Sequence, residues 1–454
     1  MKNYIARTFI LTLLVVVVLL GLYFVPTPTI DGYTLRRVNM LADIEAEEPE
    51  ADVLDTVALP PPVKPTFVDT CKTGLTCIED YADSTRRGMK PFYDALDHVN
   101  ERPVRIAYFG DSFIEADILT GDLRDMLQAH YGGCGVGYVD ITSGTYGFRK
   151  TVRHAFGGWT SKGVNDSTGY DRKRIGISGH YFIPHSGAYV EARPPKAHRG
   201  RLDSCEVATI YFESTDSLYI KTDINGSEGE LYRLAGNGQM QALDCNGLIR
   251  DVRWTVTEAD SATFYGFALD GRTGITVDNF GVRSSSGLTL ASIPQERLRQ
   301  FGRLRPYDLI VLQFGLNVAT ERGRDYSWYE TGMLRVIRHM KEAFPQAGIL
   351  VVGVGDREYK DEDGRLRTMP GVKNLIRYQQ SIAAKGAVAF WNLYDAMGGE
   401  GSIRRMVEAK PAQANLDYTH INFLGGRTLA RHLYETLIYG KEQYDKRRAY
   451  EKGE

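Results

Sequence analysis

Phe9 to Val25 runs for seventeen residues without a charge. As a helix rising ~1.5 Å per residue it would measure ~25 Å, close to one bilayer crossing. Lys2 and Arg7 precede it, and positive flanks stay cytoplasmic, so the pattern predicts an N-terminal transmembrane helix over 1–25 with the rest of the chain across the membrane. A cleaved signal peptide, leaving a secreted protein, is the competing reading. Its apolar core would be shorter and end in small residues, whereas Tyr23, Phe24 and Val25 lead into Pro26. Over 26–80 no apolar period is sustained, Glu45 to Glu50 is acidic, and Pro60, Pro61 and Pro62 favour extended backbone, so this stretch reads as an extracytoplasmic linker.

Beyond residue 80 two patterns alternate. Val104 to Phe109 is apolar and β-branched, as a buried strand is, and ends at Gly110-Asp111-Ser112 before an amphipathic stretch from Ile114 to Gln128. The same rhythm returns as Asp308 to Phe314 with Trp328 to Phe344, Gly348 to Val354 with Val372 to Ala384, and Val388 to Tyr394 with Leu424 to Ile438. Strand and helix in turn predict an α/β domain, a doubly wound parallel sheet covered on both faces, in two segments, 81–145 and 283–440. Between them lie short β-rich runs bounded by Gly, Asn, Asp and Ser: Val207 to Phe212, Leu218 to Thr222, Val252 to Thr257, Thr263 to Leu269 and Gly274 to Phe280. They predict an all-β sandwich inserted over 146–282. Residues 441–454 read as a charged tail.

Composition narrows the function classes. Lys plus Arg total 55 against 57 Asp plus Glu, a net of −2, which leaves no electrostatic basis for gripping a phosphate backbone, so nucleic acid is excluded as a partner. At 43% hydrophobic, disorder is excluded as the main state. Cys71 and Cys77 lie close together, as Cys205 and Cys245 do not, and an oxidising compartment would pair them two and two, leaving Cys134; five unpaired thiols is the other reading.

The candidate chemistry sits at strand ends. Ser112 follows the first strand of the α/β pattern, at the carboxyl edge where ligands bind, with the next helix aiming its N-terminal amides there; a helix-capping serine is the plain alternative. Asn317, in Gly315-Leu316-Asn317, also ends a strand, and its amide can donate to a developing oxyanion. In Asp417-Tyr418-Thr419-His420 a three-residue spacing across a turn lets the carboxylate reach one imidazole nitrogen while the other faces outward. Gly287 offers a backbone N–H with no side chain in the way, and Gly281 is a nearby alternative. The bland readings are a turn asparagine, a surface Asp-His pair and a loop glycine.

These blocks, Gly110-Asp111-Ser112, Gly287, Gly315-Leu316-Asn317 and Asp417-Tyr418-Thr419-His420, resemble in order the four blocks of the SGNH, or GDSL-like, hydrolases. The run from Phe109 to Asp117, with Leu119 to Arg124 and the glycine-rich Gly132 to Gly137, resembles the branch of peptidoglycan O-acetylesterases and their O-acetyltransferase relatives, which carries a carbohydrate-binding β-sandwich between the first two blocks. The resemblance implies a flavodoxin-like three-layer fold. It makes Ser112 the nucleophile, His420 the general base and Asp417 the group orienting the imidazole, with the Ser112 N–H, the Gly287 N–H and the Asn317 amide as oxyanion hole. Phe113 stands where the branch often has His, a departure that bears on the substrate pocket.

No cofactor and no metal are expected. His154, His180, His185 and His198 are scattered without ligand spacing, there is no C-x-x-C pair, and Gly132 to Gly137 follows a helix and lacks dinucleotide spacing. Tyr181, Trp159 and Trp254 could stack on sugar rings, but aromatics in a β-sandwich are more often core, so burial is the favoured reading. The leading reading is an anchored serine esterase acting on an O-acetylated glycan, with peptidoglycan favoured. The second is an O-acetyltransferase using the same triad, served by a multi-spanning acyltransferase partner, and the third is a non-catalytic carbohydrate-binding protein.

Overall fold

The computed structural model describes residues 4–23, 29–30, 33–34, 70–82, 88–166, 169–197, 200–258 and 261–453. The chain forms two units, Met1–Thr66 and Phe67–Glu454. In the first, Tyr4–Tyr23 is helical, and Thr29–Ile30 pairs antiparallel with Tyr33–Thr34. Side chains from Ala6 to Val18 are exposed. Among the described residues no helix is long and apolar enough to cross a membrane. Most of the expected linker lies outside the described residues. Its last part belongs instead to the second unit: the Thr76 carbonyl accepts from Trp391 Nε1 at 2.9 Å, and Glu79–Asp80 adds an antiparallel edge strand to the main sheet.

That sheet is built from β1 (Pro103–Gly110), β2 (Gly274–Gly281), β3 (Leu309–Gln313), β4 (Gly348–Val352) and β5 (Ala389–Trp391), all parallel, in the order β2-β1-β3-β4-β5. Every residue of β3 and β4 is buried, as a sheet covered on both faces requires. The covering helices are α1 (Thr120–Tyr131), α2 (Gln295–Leu304), α3 (Ser327–Ala343), α4 (Pro370–Gly386) and α5 (Phe423–Lys452). Helix α1 packs with α5, while α2 packs on α3 and α3 on α4. This order makes β1 and β3 neighbours whose connections run to opposite sides, so a crevice opens outside their carboxyl ends.

The inserted region is antiparallel and holds nine hydrogen-bonded strands. They form one continuous sheet folded on itself, where two separate sheets were expected. His180–Arg193 passes between the two halves, and its single pairing with Thr263–Asp270, Phe182 opposite Phe264, is the joint. Trp254 and Phe267 lie two strands apart in the hydrogen-bonding order yet their ring centroids are 5.5 Å apart, which a flat sheet with ~4.8 Å strand spacing does not permit. Val190, Ile210 and Cys245 fill the same core.

Several expectations are corrected. Gly274–Gly281 is β2 of the α/β sheet, paired with β1 along its whole length, and Gly137–Val139 pairs with Thr263–Asp270 of the insert. The insert therefore runs from about residue 137 to Asp270, displaced toward the N-terminus from 146–282. Helix α1 starts at Thr120 and not at Ile114, because Ala116 and Asp117 take left-handed backbone at φ 51° and 62°. Residues 441–452 are the end of α5, not a tail: Lys441 and Arg448 reach Asp97 at 2.8 and 2.6 Å, and the Tyr444 hydroxyl donates to Asp94 at 2.6 Å. Cys71 and Cys77 form a disulfide, while Cys205 and Cys245 are free. They lie on adjacent strands, but Cys205 faces Ile249 and Cys245 faces Ala208, so the register separates them by several rows, beyond the reach of a disulfide.

Candidate active site

Strand β1 delivers Gly110-Asp111-Ser112 to the crevice. A Cβ at Gly110 would stand 2.9 Å from the Gln313 carbonyl at the end of β3, so only glycine lets the two strand ends come this close. Ser112 is 8% exposed. Its Oγ lies 3.0 Å from Nε2 of His420, and His420 Nδ1 lies 2.7 Å from Asp417 Oδ2. The Asp417 carboxylate also accepts from the backbone N–H groups of Thr419 and His420, both at 3.0 Å. Burial alone would raise this carboxyl, but the backbone and ring hydrogen bonds of His420, with that of Thr419, outweigh it and hold Asp417 below its ordinary value. An ionised Asp417 keeps the proton of the imidazole on Nδ1 and leaves the Nε2 lone pair facing the serine. Tyr418, left-handed at φ 51°, turns the chain sharply enough to bring the two side chains together.

Asp111 ties this loop to the next strand end. Its buried carboxylate accepts from the N–H of Phe113 at 3.0 Å and of Leu316 at 3.3 Å, so Ser112 and Asn317 are held by one side chain. Desolvation pushes Asp111 up to about 6, with the two hydrogen bonds and the nearby His420 offsetting part of that rise. Asn317 is exposed and gives one amide hydrogen to the Ser285 carbonyl at 3.0 Å, leaving the other for a ligand. The Ser112 N–H has no protein partner among the described residues. Gly287, left-handed at φ 86° and packed so that a Cβ would meet the Phe314 ring at 2.6 Å, directs its N–H to the Ser285 hydroxyl at 3.0 Å. The Gly281 N–H is likewise taken, by Asn279 at 2.8 Å. Two of the three expected oxyanion donors are therefore open, and Gly287 supports the loop that holds Asn317.

The far end of the Ser112 loop is pinned by a network that sequence reasoning missed. Asp117 is fully buried between Arg124 at 3.1 Å and Arg149 at 2.8 Å. Burial would raise its carboxyl, but the two guanidinium groups hold it far below the carboxylate range. Asn279 of β2 donates to the Ile114 carbonyl at 2.7 Å and to Thr120 at 2.6 Å. The only signal in the sequence is an amide inside a run otherwise suited to a buried strand. Phe113 is 2% exposed and packs in the core.

The three candidate sugar-stacking aromatics are packed inside, as the favoured reading has it. Trp254 and Tyr181 are core residues, and half-buried Trp159 donates to the Tyr189 carbonyl at 2.7 Å while its ring packs on Phe264. Tyr146 and Phe148 are exposed aromatics, the former edge-on to Phe156 of the insert. Their segment is anchored by Arg149 and Thr151 to Asp117, and Lys150 lies 4.0 Å over the Phe423 ring, three residues beyond His420. His198 lies outside the described residues, and among those described no group of His, Cys, Asp and Glu is placed to hold a metal.

Residues 250–412 match the model of the GDSL-like Lipase/Acylhydrolase family, a span that includes Gly287 and Asn317 but not Ser112, Asp417 or His420. The structure of a peptidoglycan O-acetylesterase aligns over 80% of this chain and 99% of its own with TM-score 0.66 and 22% identity, which establishes a shared fold. A family two carbohydrate esterase from Clostridium thermocellum aligns over 61% of this chain and 97% of its own with TM-score 0.28 and 11% identity. No curated protein sequence matches the chain.

Proposed function

We propose that this ester-bond hydrolase, which carries the GDSL-like lipase/acylhydrolase match, removes O-acetyl groups from a cell-envelope polysaccharide, with peptidoglycan as the favoured substrate. The observation that carries the reading is the pair of contacts Ser112 Oγ to His420 Nε2, 3.0 Å, and His420 Nδ1 to Asp417, 2.7 Å. A serine hydroxyl is a weak nucleophile until a neutral imidazole takes its proton. Ser112 Oγ attacks the acetyl carbonyl as its proton passes to His420 Nε2. The tetrahedral oxyanion is held by the Ser112 N–H and the free amide hydrogen of Asn317. Collapse expels the sugar oxygen, which takes the proton from His420, and leaves acetyl-Ser112. Water then attacks with His420 again as base, and acetate leaves. No step calls for a metal or cofactor.

The polysaccharide lies across the crevice against Tyr146 and Phe148, whose exposed rings suit stacking on sugars. The chain is held to the membrane through 1–25, with the catalytic unit outside the cytoplasm. The test is to incubate the soluble second unit with O-acetylated peptidoglycan and measure free acetate against acetate passed to another sugar hydroxyl. Free acetate as the main product is expected. Transfer without net release makes the chain an O-acetyltransferase and calls for the membrane-embedded acyl donor as its partner, and neither product refutes the catalytic reading.

A further inference from the structure

The turn that follows β4 is hydrogen-bonded to the loops that carry Asn317 and the Asp417–His420 pair, and packs near the residue after Ser112. A Cβ at Gly355 would lie 3.5 Å from the Phe113 ring, beside Ser112. The Arg357 guanidinium donates to the Leu316 carbonyl at 3.1 Å, beside Asn317. The Glu358 N–H donates to the carbonyl of Tyr418 at 3.1 Å, between Asp417 and His420. Arg357 is half-buried, and a guanidinium has five N–H donors, of which this contact uses one.

Other arginines near these loops are neutralised. Arg124 and Arg149 face Asp117, Arg283 faces Glu115 at 2.7 Å, Arg404 faces Glu358 at 3.8 Å, and Arg427 faces Asp122 at 3.2 Å. Arg357 has no carboxylate partner among the described residues. Its neighbours in sequence are engaged elsewhere: Asp356 is fully buried and accepts from Thr368 at 2.8 Å and from the Ile403 N–H at 3.0 Å, and Glu358 faces Arg404 at 3.8 Å; Asp417, on the turn that Glu358 contacts, is taken up by His420. A cation held by one bond to the loop that carries Asn317, with its remaining donors unmatched, fits a planar anion presented by a ligand.

We infer that Arg357 reads a negative charge on the substrate close to the ester carbonyl, so that the site prefers glycans bearing a carboxylate beside the acetyl group over neutral ones. This rests on the esterase reading above and sharpens its substrate class. The contact to Leu316 orients the guanidinium and couples substrate charge to the loop that positions the oxyanion donor.

The probes are an O-acetylated, peptide-bearing peptidoglycan fragment with free carboxylates and the same fragment with those carboxylates converted to amides. In the wild-type protein kcat/KM for the charged fragment should exceed that for the amidated one by about 10- to 100-fold, mostly through KM, and the gap should narrow as salt is raised. In Arg357→Gln the ratio should fall close to one, and Arg357→Lys, which keeps the charge but loses the fork, should give an intermediate value. General damage to the site lowers both rates and leaves the ratio in place. An unchanged ratio in Arg357→Gln, or a wild-type ratio near one should the variant fail to fold, overturns the inference. Affinities of the two fragments for Ser112→Ala protein, with and without Arg357→Gln, give the same ratio without turnover. If the wild type releases acetate from neither fragment while that binding ratio persists, the esterase reading fails and the role of Arg357 stands.

Discussion

Asp111 accepts hydrogen bonds from two loops while almost fully removed from water, and desolvation lifts it to about 6 from an ordinary 3.8. The unfolded carboxyl releases its proton near its ordinary value and the folded one near 6, so folding takes up a proton between them. The contribution of Asp111 to stability is then full below about pH 4, falls as pH rises through 6, and is flat above. The whole swing is on the order of 3 kcal/mol. Asp111→Asn removes the titration, so its unfolding free energy relative to wild type should improve by that order between pH 4 and 7, whatever constant cost the amide adds. Urea midpoints at the two pH values check it, and a parallel pH dependence would show that Asp111 does not carry the shift. Ser112, Asp417 and His420 were legible as candidates because strand ends and a three-residue spacing are local signals. The work of Asp111 and Asn279, and the committed N–H of Gly287, depend on partners that only the folded chain supplies.

Among the elements, β2 shows where a local pattern misleads. Gly274–Gly281 has the composition of a sandwich strand and follows one in sequence, yet it pairs with β1 and is buried over most of its length. The parallel partner lies more than 160 residues upstream, and no alternation within the strand reveals that. The joint between insert and sheet is equally invisible in sequence. Arg305, just after α2 and 1% exposed, donates to Asp270 of the insert at 3.0 Å and to Asp278 of β2 at 2.7 Å, and the Tyr307 hydroxyl donates to Asp278 at 2.6 Å. Burial would lower the Arg305 guanidinium, but the charges of Asp270 and Asp278 outweigh it and hold it fully ionised. Arg305→Ala strands two buried carboxylates, and equilibrium unfolding should register a loss of about 3–5 kcal/mol. A loss under about 1 kcal/mol would mean that the insert is held by its apolar contacts alone.

At the scale of the molecule, the topology proposed above for the catalytic unit rests on an uncharged run preceded by Lys2 and Arg7. Protease added to spheroplasts should digest that unit while sparing cytoplasmic markers, and its protection would overturn both the topology and an envelope substrate. The alternation of strand and helix made the α/β fold legible, since each buried parallel strand announces itself locally. What had to come from the structure was the strand order, which decides that the ends of β1 and β3 open the crevice where Ser112 and Asn317 meet. The central claim is that Ser112 forms the acyl-enzyme. Intact-mass analysis after a serine-directed phosphonate should find a single adduct, mapped to Ser112, on the wild-type protein and none on Ser112→Ala, whose acetate release should fall ~10⁴-fold or more. An adduct on Ser112→Ala at the wild-type level would contradict the account.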